Sequence, residues 1–156
     1  MIEGKEVTWF PSYGAEMRGG TANCTVVLSD ELIGSPIVTS PDILITMSGA
    51  SLNKFLPRLK QKGLLLFDSS LIMDGRNRTD VENIGVPATD ISSGIGNTKS
   101  ANMVLLGALV GYTGLLTEMA VFAALERSLH GNKEKGVAAN KKALVEGMKF
   151  IEDKKS

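Results

Sequence analysis

The stretch that most constrains the fold is GLLLFDSSLI, residues 63–72, which opens with apolar residues that follow one another without alternation. A strand with no solvated face has this pattern, as in a parallel sheet that is covered on both sides. The shorter run Ile43–Met47 has the same character. Both stretches therefore predict buried parallel strands.

The segment between these two runs predicts a helix. Its apolar residues recur at helical spacing, Ser51 can cap its start, Pro57 interrupts or kinks it before Lys60, and Gly63 stops it. The stretch VPATDISSGIGN, residues 86–97, indicates a short strand before a Gly-Ser loop. Strand, helix and strand in this order predict an α/β fold with a mostly parallel sheet flanked by helices, a Rossmann-like three-layer domain.

Two further strands are predicted near the start of the chain. Glu6–Phe10 is β-branched and aromatic and runs into Pro11, and Thr21–Ser29 alternates small or polar residues with apolar ones. Cys24, in the second strand, is expected to be a small buried hydrophobe. The segment PSYGAEMRGG, residues 11–20, therefore connects two strands.

The second half of the chain has helical periodicity. Residues 1–130 are interpreted as the main domain, and residues 131–156 as a C-terminal surface helix and tail of the same domain. The predicted helices run from Thr98 to about Val110, from Thr117 to Leu129 after a break at Tyr112–Gly114, and from Lys133 to about Lys155 with one face docked.

Residues 101–125 imitate a membrane span in length and hydropathy. Glu118 lies within them, and a charged group deep in lipid costs at least about 2.5 kcal/mol. A buried helical hairpin is therefore the preferred interpretation, with close helix packing at Gly107 and Gly111.

Composition excludes several functional classes. Lys and Arg (17) balance Asp and Glu (17), so no net field draws the chain to nucleic acid or to an anionic membrane. The single cysteine cannot hold an iron–sulfur cluster, which usually takes four thiolates. The single histidine, His130, excludes a three-histidine zinc site and is interpreted as a solvated helix-end residue. MIEGKEV lacks a signal-peptide pattern, so we expect a cytoplasmic chain. Neither a CxxC pair nor a Walker sequence occurs, so we expect no catalytic or metal-ligating set on this chain.

PSYGAEMRGG is the first candidate functional segment. Its adjacent glycines let the backbone approach a ligand or another chain closely, and the guanidinium of Arg18 suits a carboxylate or a phosphate. The alternative is a structural turn in which Glu16 and Arg18 form an exposed pair of little worth. The residues leave both interpretations open. The candidate ligand- or interface-proximal residues here are Ser12, Tyr13, Gly14, Glu16, Arg18, Gly19, Gly20 and Asn23.

SSGIGNTKSANMV, residues 92–104, is the second candidate. A glycine-rich turn that opens a helix can present backbone N–H groups to an anion, with Asn97 or Thr98 as the cap. The pattern is not GxGxxG, and a plain helix start explains it about as well.

Three segments carry a resemblance to a known family: residues 3–38, residues 41–72 and GNTKSANMVLLGAL, residues 96–109. Over residues 3–130 the chain resembles the gamma subunit of the 2-oxoacid:ferredoxin oxidoreductases, and the block PSYGAEMRGGTAN makes the similarity specific. Relatives that act on pyruvate tend to read Pro-Glu-Arg-Arg-Gly-Gly-Pro where this chain has residues 15–21, which look more like the 2-oxoglutarate type. Family members usually begin with a strand, a Gly-Gly-Gln-Gly turn and a helix. We expect that unit to be missing here, which exposes a sheet edge.

The resemblance implies a division of labour among subunits. In this family thiamine diphosphate attacks the 2-oxoacid, electrons pass through [4Fe-4S] clusters to ferredoxin, and coenzyme A accepts the acyl group. It places thiamine diphosphate, Mg and the clusters on partner alpha and beta subunits, and leaves open a ferredoxin-like delta subunit and a contact with coenzyme A. The alternatives are a branched-chain 2-oxoacid, pyruvate or indolepyruvate enzyme, or, from another class, a stand-alone α/β module that binds an anion at Arg18.

Overall fold

A parallel sheet lies at the centre of the structure, a computed structural model that describes residues 3–12, 21–73, 78–128 and 134–155. The strands are β1 (Glu6–Ser12), β2 (Asn23–Ser29), β3 (Ile43–Thr46), β4 (Leu64–Asp68) and β5 (Glu82–Val86). The helices are α1 (Gly49–Phe55), α2 (Ala88–Gly94), α3 (Ala101–Thr113), α4 (Glu118–Ser128) and α5 (Glu134–Lys155).

The central sheet has the order β3-β4-β5, with both strand pairs parallel. Every residue of β4 is buried, which confirms the prediction from its unbroken apolar run. β3 is parallel as predicted, but it is only partly buried: Ile45 is 41% exposed because β3 is an edge strand of this sheet. The prediction of a strand within residues 86–97 is wrong, because the strand ends at Val86 and the segment forms α2.

Helices cover both faces of this sheet, which confirms the three-layer prediction. On one face, Leu52 of α1 packs with Leu65 and Phe67 of β4. On the other face, Leu64 and Leu66 pack with residues of α3 and α5. The alternate residues of β4 therefore serve two separate apolar clusters, which is why the strand reads as continuously apolar.

α1 differs from the predicted helix at both ends. Ser48, not Ser51, is its cap, and the Ser51 N–H donates to Ser48 Oγ at 3.2 Å. The α-helix ends at Phe55, and Pro57 lies in a following 3-10 turn, in agreement with the predicted interruption. Gly63 does not stop the helix: a Cβ there would lie within 3 Å of two backbone carbonyl oxygens, so only glycine fits where the chain enters β4.

α3 and α5 touch through their backbones. A Cβ on Gly107 would lie 2.0 Å from the Leu144 carbonyl oxygen, and one on Gly147 would lie 2.0 Å from that of Val104. This confirms close helix packing at Gly107, but the partner is α5 rather than the helix that follows in sequence. α5 is accordingly more deeply docked than a surface helix, with Ala143, Leu144 and Ile151 fully buried.

α3 continues through Tyr112 and Thr113, beyond the predicted end near Val110, and stops at Gly114, whose φ of 63° is left-handed. α4 then begins at Glu118, one residue after the predicted start at Thr117, and the Glu118 carboxylate suits the positive end of the helix dipole. Among the described residues, no helix combines the length and apolar character that crossing a membrane requires.

β1 and β2 form a separate antiparallel ribbon in which Trp9 lies opposite Val26 and Pro11 opposite Cys24. The prediction that Cys24 is buried is wrong: its side chain is exposed. Both predicted strands are present, but β1 continues through Pro11 to Ser12 and β2 begins at Asn23 rather than Thr21. Burial of one face of a strand depends on a second layer, and described residues do not cover this face.

Candidate functional site

The carboxyl ends of the three parallel strands form a polar edge, which we call the carboxyl edge and define by Ser48, Asp68, Ser69, Ser70 and Thr89. Each residue follows or ends a strand of the sheet or begins the helix after it. Open α/β sheets bind ligands in the crevice outside this end of their strands. The carboxyl edge is therefore the site in the described residues where a ligand is expected.

Asp68 is the anchor of the carboxyl edge, because its side chain is completely buried and hydrogen-bonded to its neighbours through both oxygens. Its Oδ2 accepts from Thr89 Oγ1 at 2.6 Å, and its Oδ1 accepts from the N–H groups of Ser70 at 3.0 Å and Thr89 at 3.3 Å. Hydrogen bonds of this kind compensate the cost of burying a carboxyl group. They also join the end of β4 to the start of α2.

The same contacts cap α2 from outside. The residue at the cap position is Pro87, which offers no side-chain acceptor. Asp68 accepts from Thr89 N–H, and Ser70 Oγ accepts from Asp90 N–H at 3.1 Å. Asp68 and Ser70 thus accept from N–H groups in the first turn of α2, which have no acceptor within the helix itself.

The carboxyl edge can bind and orient a polar group, but it does not contain a paired nucleophile and base. Ser69 and Ser70 are half-buried, and the Ser69 N–H is already bonded to the Val86 carbonyl at 2.9 Å. The carboxyl of Asp68 is committed to Thr89 and Ser70. Within the ranges that the structure describes, no three His, Cys, Asp or Glu side chains are placed to hold a metal ion.

Of the loop predicted as a site, the structure describes the two ends. Ser12 and Asn23 are register partners at the last position of the ribbon, Ser12 exposed and Asn23 half-buried. The remaining candidates lie outside the described residues, so their role in binding a ligand or a partner stays a prediction: Tyr13, Gly14, Glu16, Arg18, Gly19 and Gly20. His130 also lies outside the described residues.

Asn97, the candidate in the second segment, is a helix cap. Its Oδ1 accepts from the Lys99 N–H at 3.3 Å, and its carbonyl accepts from the Ser100 N–H at 3.0 Å. A 3-10 turn at Thr98–Ser100 leads from this cap into α3. The capping prediction is confirmed, and a role of Asn97 toward an anion stays a prediction.

Sequence reasoning missed the carboxyl edge. Its signal is the polar triplet Asp68-Ser69-Ser70 directly after an unbroken apolar strand. Thr89, the main partner of Asp68, is hidden as long as residues 86–97 are interpreted as strand and loop rather than as a helix.

A second polar contact fastens the ribbon to the helical layer. The carboxylate of Glu3 accepts from Thr117 Oγ1 at 2.5 Å and from Thr117 N–H at 2.8 Å. These bonds to the side chain and the backbone of Thr117 lower the pKa of Glu3 below its ordinary value. Beside Glu3, an apolar cavity of about 370 Å³ is lined by side chains of α3, α4 and α5.

Comparison with known proteins decides the family. The family model described as pyruvate ferredoxin/flavodoxin oxidoreductase matches residues 1–150. The chain belongs to this family. Its sequence is 37% identical over 147 residues to the ketoisovalerate oxidoreductase subunit VorA of Methanothermobacter marburgensis, covering 93% of the chain and 30% of VorA. It is 36% identical over 148 residues to the 2-oxoglutarate synthase subunit KorC of the same organism, covering 88% of the chain and 80% of KorC.

The fold agrees with this family assignment. The crystal structure of the keto/oxoacid ferredoxin oxidoreductase gamma subunit from Geobacter sulfurreducens superposes with a TM-score of 0.83 at 27% identity, covering 97% of the chain and 83% of that subunit. The resemblance to gamma subunits of this oxidoreductase family is thereby confirmed. The chain spans less than a third of the length of VorA but most of the length of KorC.

Proposed function

We propose that this chain is the gamma subunit of a 2-oxoglutarate:ferredoxin oxidoreductase, which converts a 2-oxoacid to its acyl-coenzyme A and passes electrons to ferredoxin. The observation that carries the choice of substrate is the match to KorC, at 36% identity over 80% of that subunit. KorC is a subunit of a 2-oxoglutarate synthase, so the match extends over most of a subunit of that enzyme. Residues 15–21 support the same choice, because they resemble the 2-oxoglutarate type more than the pyruvate type.

A branched-chain 2-oxoacid enzyme is the second candidate. The chain is 37% identical to VorA of a ketoisovalerate oxidoreductase, compared with 36% identical to KorC. Identity therefore does not separate the two substrates. The extent of the match does favour KorC, because only 30% of VorA is covered.

The cofactors of such an enzyme do not fit the described residues. A [4Fe-4S] cluster usually takes four thiolates, and the chain has one cysteine. Mg²⁺ is held largely by carboxylates, and in the part of the chain that the structure describes no three His, Cys, Asp or Glu side chains are placed to hold a metal ion. We therefore place thiamine diphosphate, Mg²⁺ and the clusters on alpha and beta subunits of a cytoplasmic complex.

The contribution of this chain is then structural and positional. The carboxyl edge offers hydroxyl groups around a fixed, buried Asp68, which suits binding of a polar part of the substrate or of coenzyme A. The ribbon holds the two ends of the connecting loop, Ser12 and Asn23, opposite each other in register. We propose that this loop meets the partner subunits near the reaction centre.

Coenzyme A-dependent reduction of ferredoxin by the reconstituted complex tests the substrate. We expect kcat/KM for 2-oxoglutarate to exceed that for 3-methyl-2-oxobutanoate and for pyruvate by about tenfold or more. Omission of this chain should abolish the activity. A preference for 3-methyl-2-oxobutanoate would select the second candidate, and full activity without the chain would exclude a subunit role.

Arg18 tests the role of the loop. If its guanidinium holds a ligand carboxylate or phosphate, or pairs across an interface, Arg18→Ala should weaken the free energy of binding to that ligand or subunit by about 2 to 5 kcal/mol. Arg18→Lys should also be impaired, because lysine loses the two-pronged geometry. Lost activity in an intact complex assigns Arg18 to a ligand, and lost assembly assigns it to an interface. Wild-type behaviour of both variants, a cost below about 1 kcal/mol, would leave the loop as a turn.

A further inference from the structure

One face of the ribbon formed by β1 and β2 is apolar and exposed. Strand register puts alternate residues on the same side, so three cross-strand pairs share this face. Trp9 is 61% exposed and its partner Val26 is 54% exposed. We call this surface the ribbon face and define it by Val7, Trp9, Pro11, Cys24, Val26 and Leu28.

Such a face is not stable in water by itself. A two-stranded ribbon is marginal at best without a layer packed against it. Exposed apolar surface costs about 25 cal/mol per Å² relative to burial, and a tryptophan contributes about 150 to 250 Å² when fully buried. The ribbon face therefore indicates a covering surface that lies outside this chain's described residues.

The chemistry of the covering surface follows from the charges around the face. The ribbon face contains no Lys, Arg, Asp or Glu, and the lysine at its base, Lys5, is paired with Asp30 at 2.7 Å. A charged surface would lose its hydration here without gaining a partner. The ribbon face thus fits an apolar, uncharged protein surface.

The ribbon face alone is too small for a stable interface. A seven-residue ribbon is about 23 Å long and about 10 Å wide, or roughly 230 Å² per face. Stable interfaces bury about 800 Å² per partner. The partner must therefore contact more than the ribbon face. The following segment offers such contacts, because Leu32 is 90% exposed and Ile37 is 71% exposed.

We propose that the ribbon face docks on the subunit that corresponds to the remainder of VorA. This inference rests on the proposed function. The same domain occupies 30% of the VorA chain, where it is covalently joined to the rest of that protein, and most of the separate subunit KorC. Contacts between two domains of a fused chain are expected to persist as a subunit interface where the domains are separate. An interface between whole domains supplies the area that the ribbon face alone lacks.

Cys24 provides a built-in probe, because it is the single cysteine of the chain, it is exposed, and it lies on the ribbon face. The rate of maleimide modification of Cys24 would be measured in the isolated chain and in the complex purified with its partner subunits, with the modified site identified by mass spectrometry. We expect modification to be at least about tenfold slower in the complex.

A pair of neighbouring residues gives matched variants. Trp9→Ser removes the centre of the ribbon face, whereas Phe10→Ser removes a similar aromatic group, 51% exposed, on the opposite side of the same strand. We expect Trp9→Ser to weaken binding to the partner by about 30-fold or more, as for a buried aromatic anchor. Phe10→Ser should bind within about threefold of the wild-type chain.

The outcomes separate this inference from the proposed function. Wild-type binding by Trp9→Ser, or unchanged modification of Cys24 in an active complex, would overturn the docking and leave the proposed function standing. Protection of Cys24 in a dimer of the isolated chain would also overturn it, in favour of self-association. A wild-type chain that joins no complex would overturn both. Circular dichroism of each variant would be compared with wild type, and Val26→Ser would replace Trp9→Ser if that variant did not fold.

Discussion

Substitution of Gly107 by alanine should disrupt the contact between α3 and α5. A Cβ at this position would lie 2.0 Å from the Leu144 carbonyl oxygen, whereas ordinary contact begins at 3.4 Å. The clashing atom belongs to the backbone of a fully buried residue, so no side chain can turn away to make room. The two helices must instead move apart by more than about 1 Å at the centre of the core.

The magnitude follows from two opposing effects. Extra atoms in a packed core cost about 1 to 3 kcal/mol, and a backbone clash places Gly107→Ala at the upper end or beyond. Alanine has a helix propensity about 1 kcal/mol better than that of glycine, which offsets part of the cost. The expected net loss in the free energy of unfolding is about 2 kcal/mol or more.

Urea unfolding, followed through the helical circular dichroism signal, measures this loss. With a slope of about 1 to 3 kcal/mol per molar urea, the midpoint should fall by about 1 M. Gly136→Ala is the matched control, because Gly136 is exposed in α5 and a Cβ there would have no other atom within 4 Å. That variant should gain about 0.5 to 1 kcal/mol from propensity alone.

One pattern of results would refute the close contact between the helices. If Gly107→Ala unfolds at the wild-type urea concentration while Gly136→Ala is stabilised as expected, the two backbones do not touch. A loss in both variants would instead show that glycine is needed in these helices for a reason other than close packing.

Three further predictions concern polar contacts and the thiol. Thr89→Val removes the hydroxyl that donates to buried Asp68, and it should lower the free energy of unfolding in urea by about 1 to 3 kcal/mol. Thr89→Ser keeps a hydroxyl donor and should lower it by less. The bonds from Thr117 lower the pKa of Glu3, so their stabilisation is present above the ordinary value of 4.5 and is lost as the pH falls through the lowered value. The difference in melting temperature between wild type and Glu3→Gln should therefore shrink from about pH 6 to about pH 3, and a constant difference would contradict this. Cys24→Ser should leave the iron content of the assembled enzyme unchanged, and a loss of iron would contradict the placement of the clusters on other subunits.

The elements that could be predicted from the sequence are those whose patterns are local and long. The unbroken apolar run of β4, the long apolar segment of α3 and the helical periodicity of α5 are sufficient, because the burial of each follows from the residues along one segment. α2 could not be predicted, since its cap is Pro87 and its N–H groups are satisfied by Asp68 and Ser70 from another element. The same tertiary dependence explains the exposure of Cys24.

The candidate site shows the same division. The alternation in β2 and the β-branched and aromatic residues in β1 predict the two strands, whereas the register that puts Ser12 opposite Asn23 is set by their pairing in the fold. Asp68 was missed because its hydroxyl partner, Thr89, is 21 residues away in sequence. A buried carboxyl group is recognisable only when the element that satisfies it is placed correctly.

The edge strand β3 has a consequence for producing the protein. Ile43–Thr46 contains no lysine and no proline, the residues that commonly keep a sheet edge from pairing with another molecule. Ile45 and Met47 add exposed apolar surface beside that edge. Overexpression of this chain without its partners should therefore favour inclusion bodies, and concentrating the purified chain should favour precipitation through strand pairing. We therefore expect more soluble material from slow expression at low temperature together with the partner subunits.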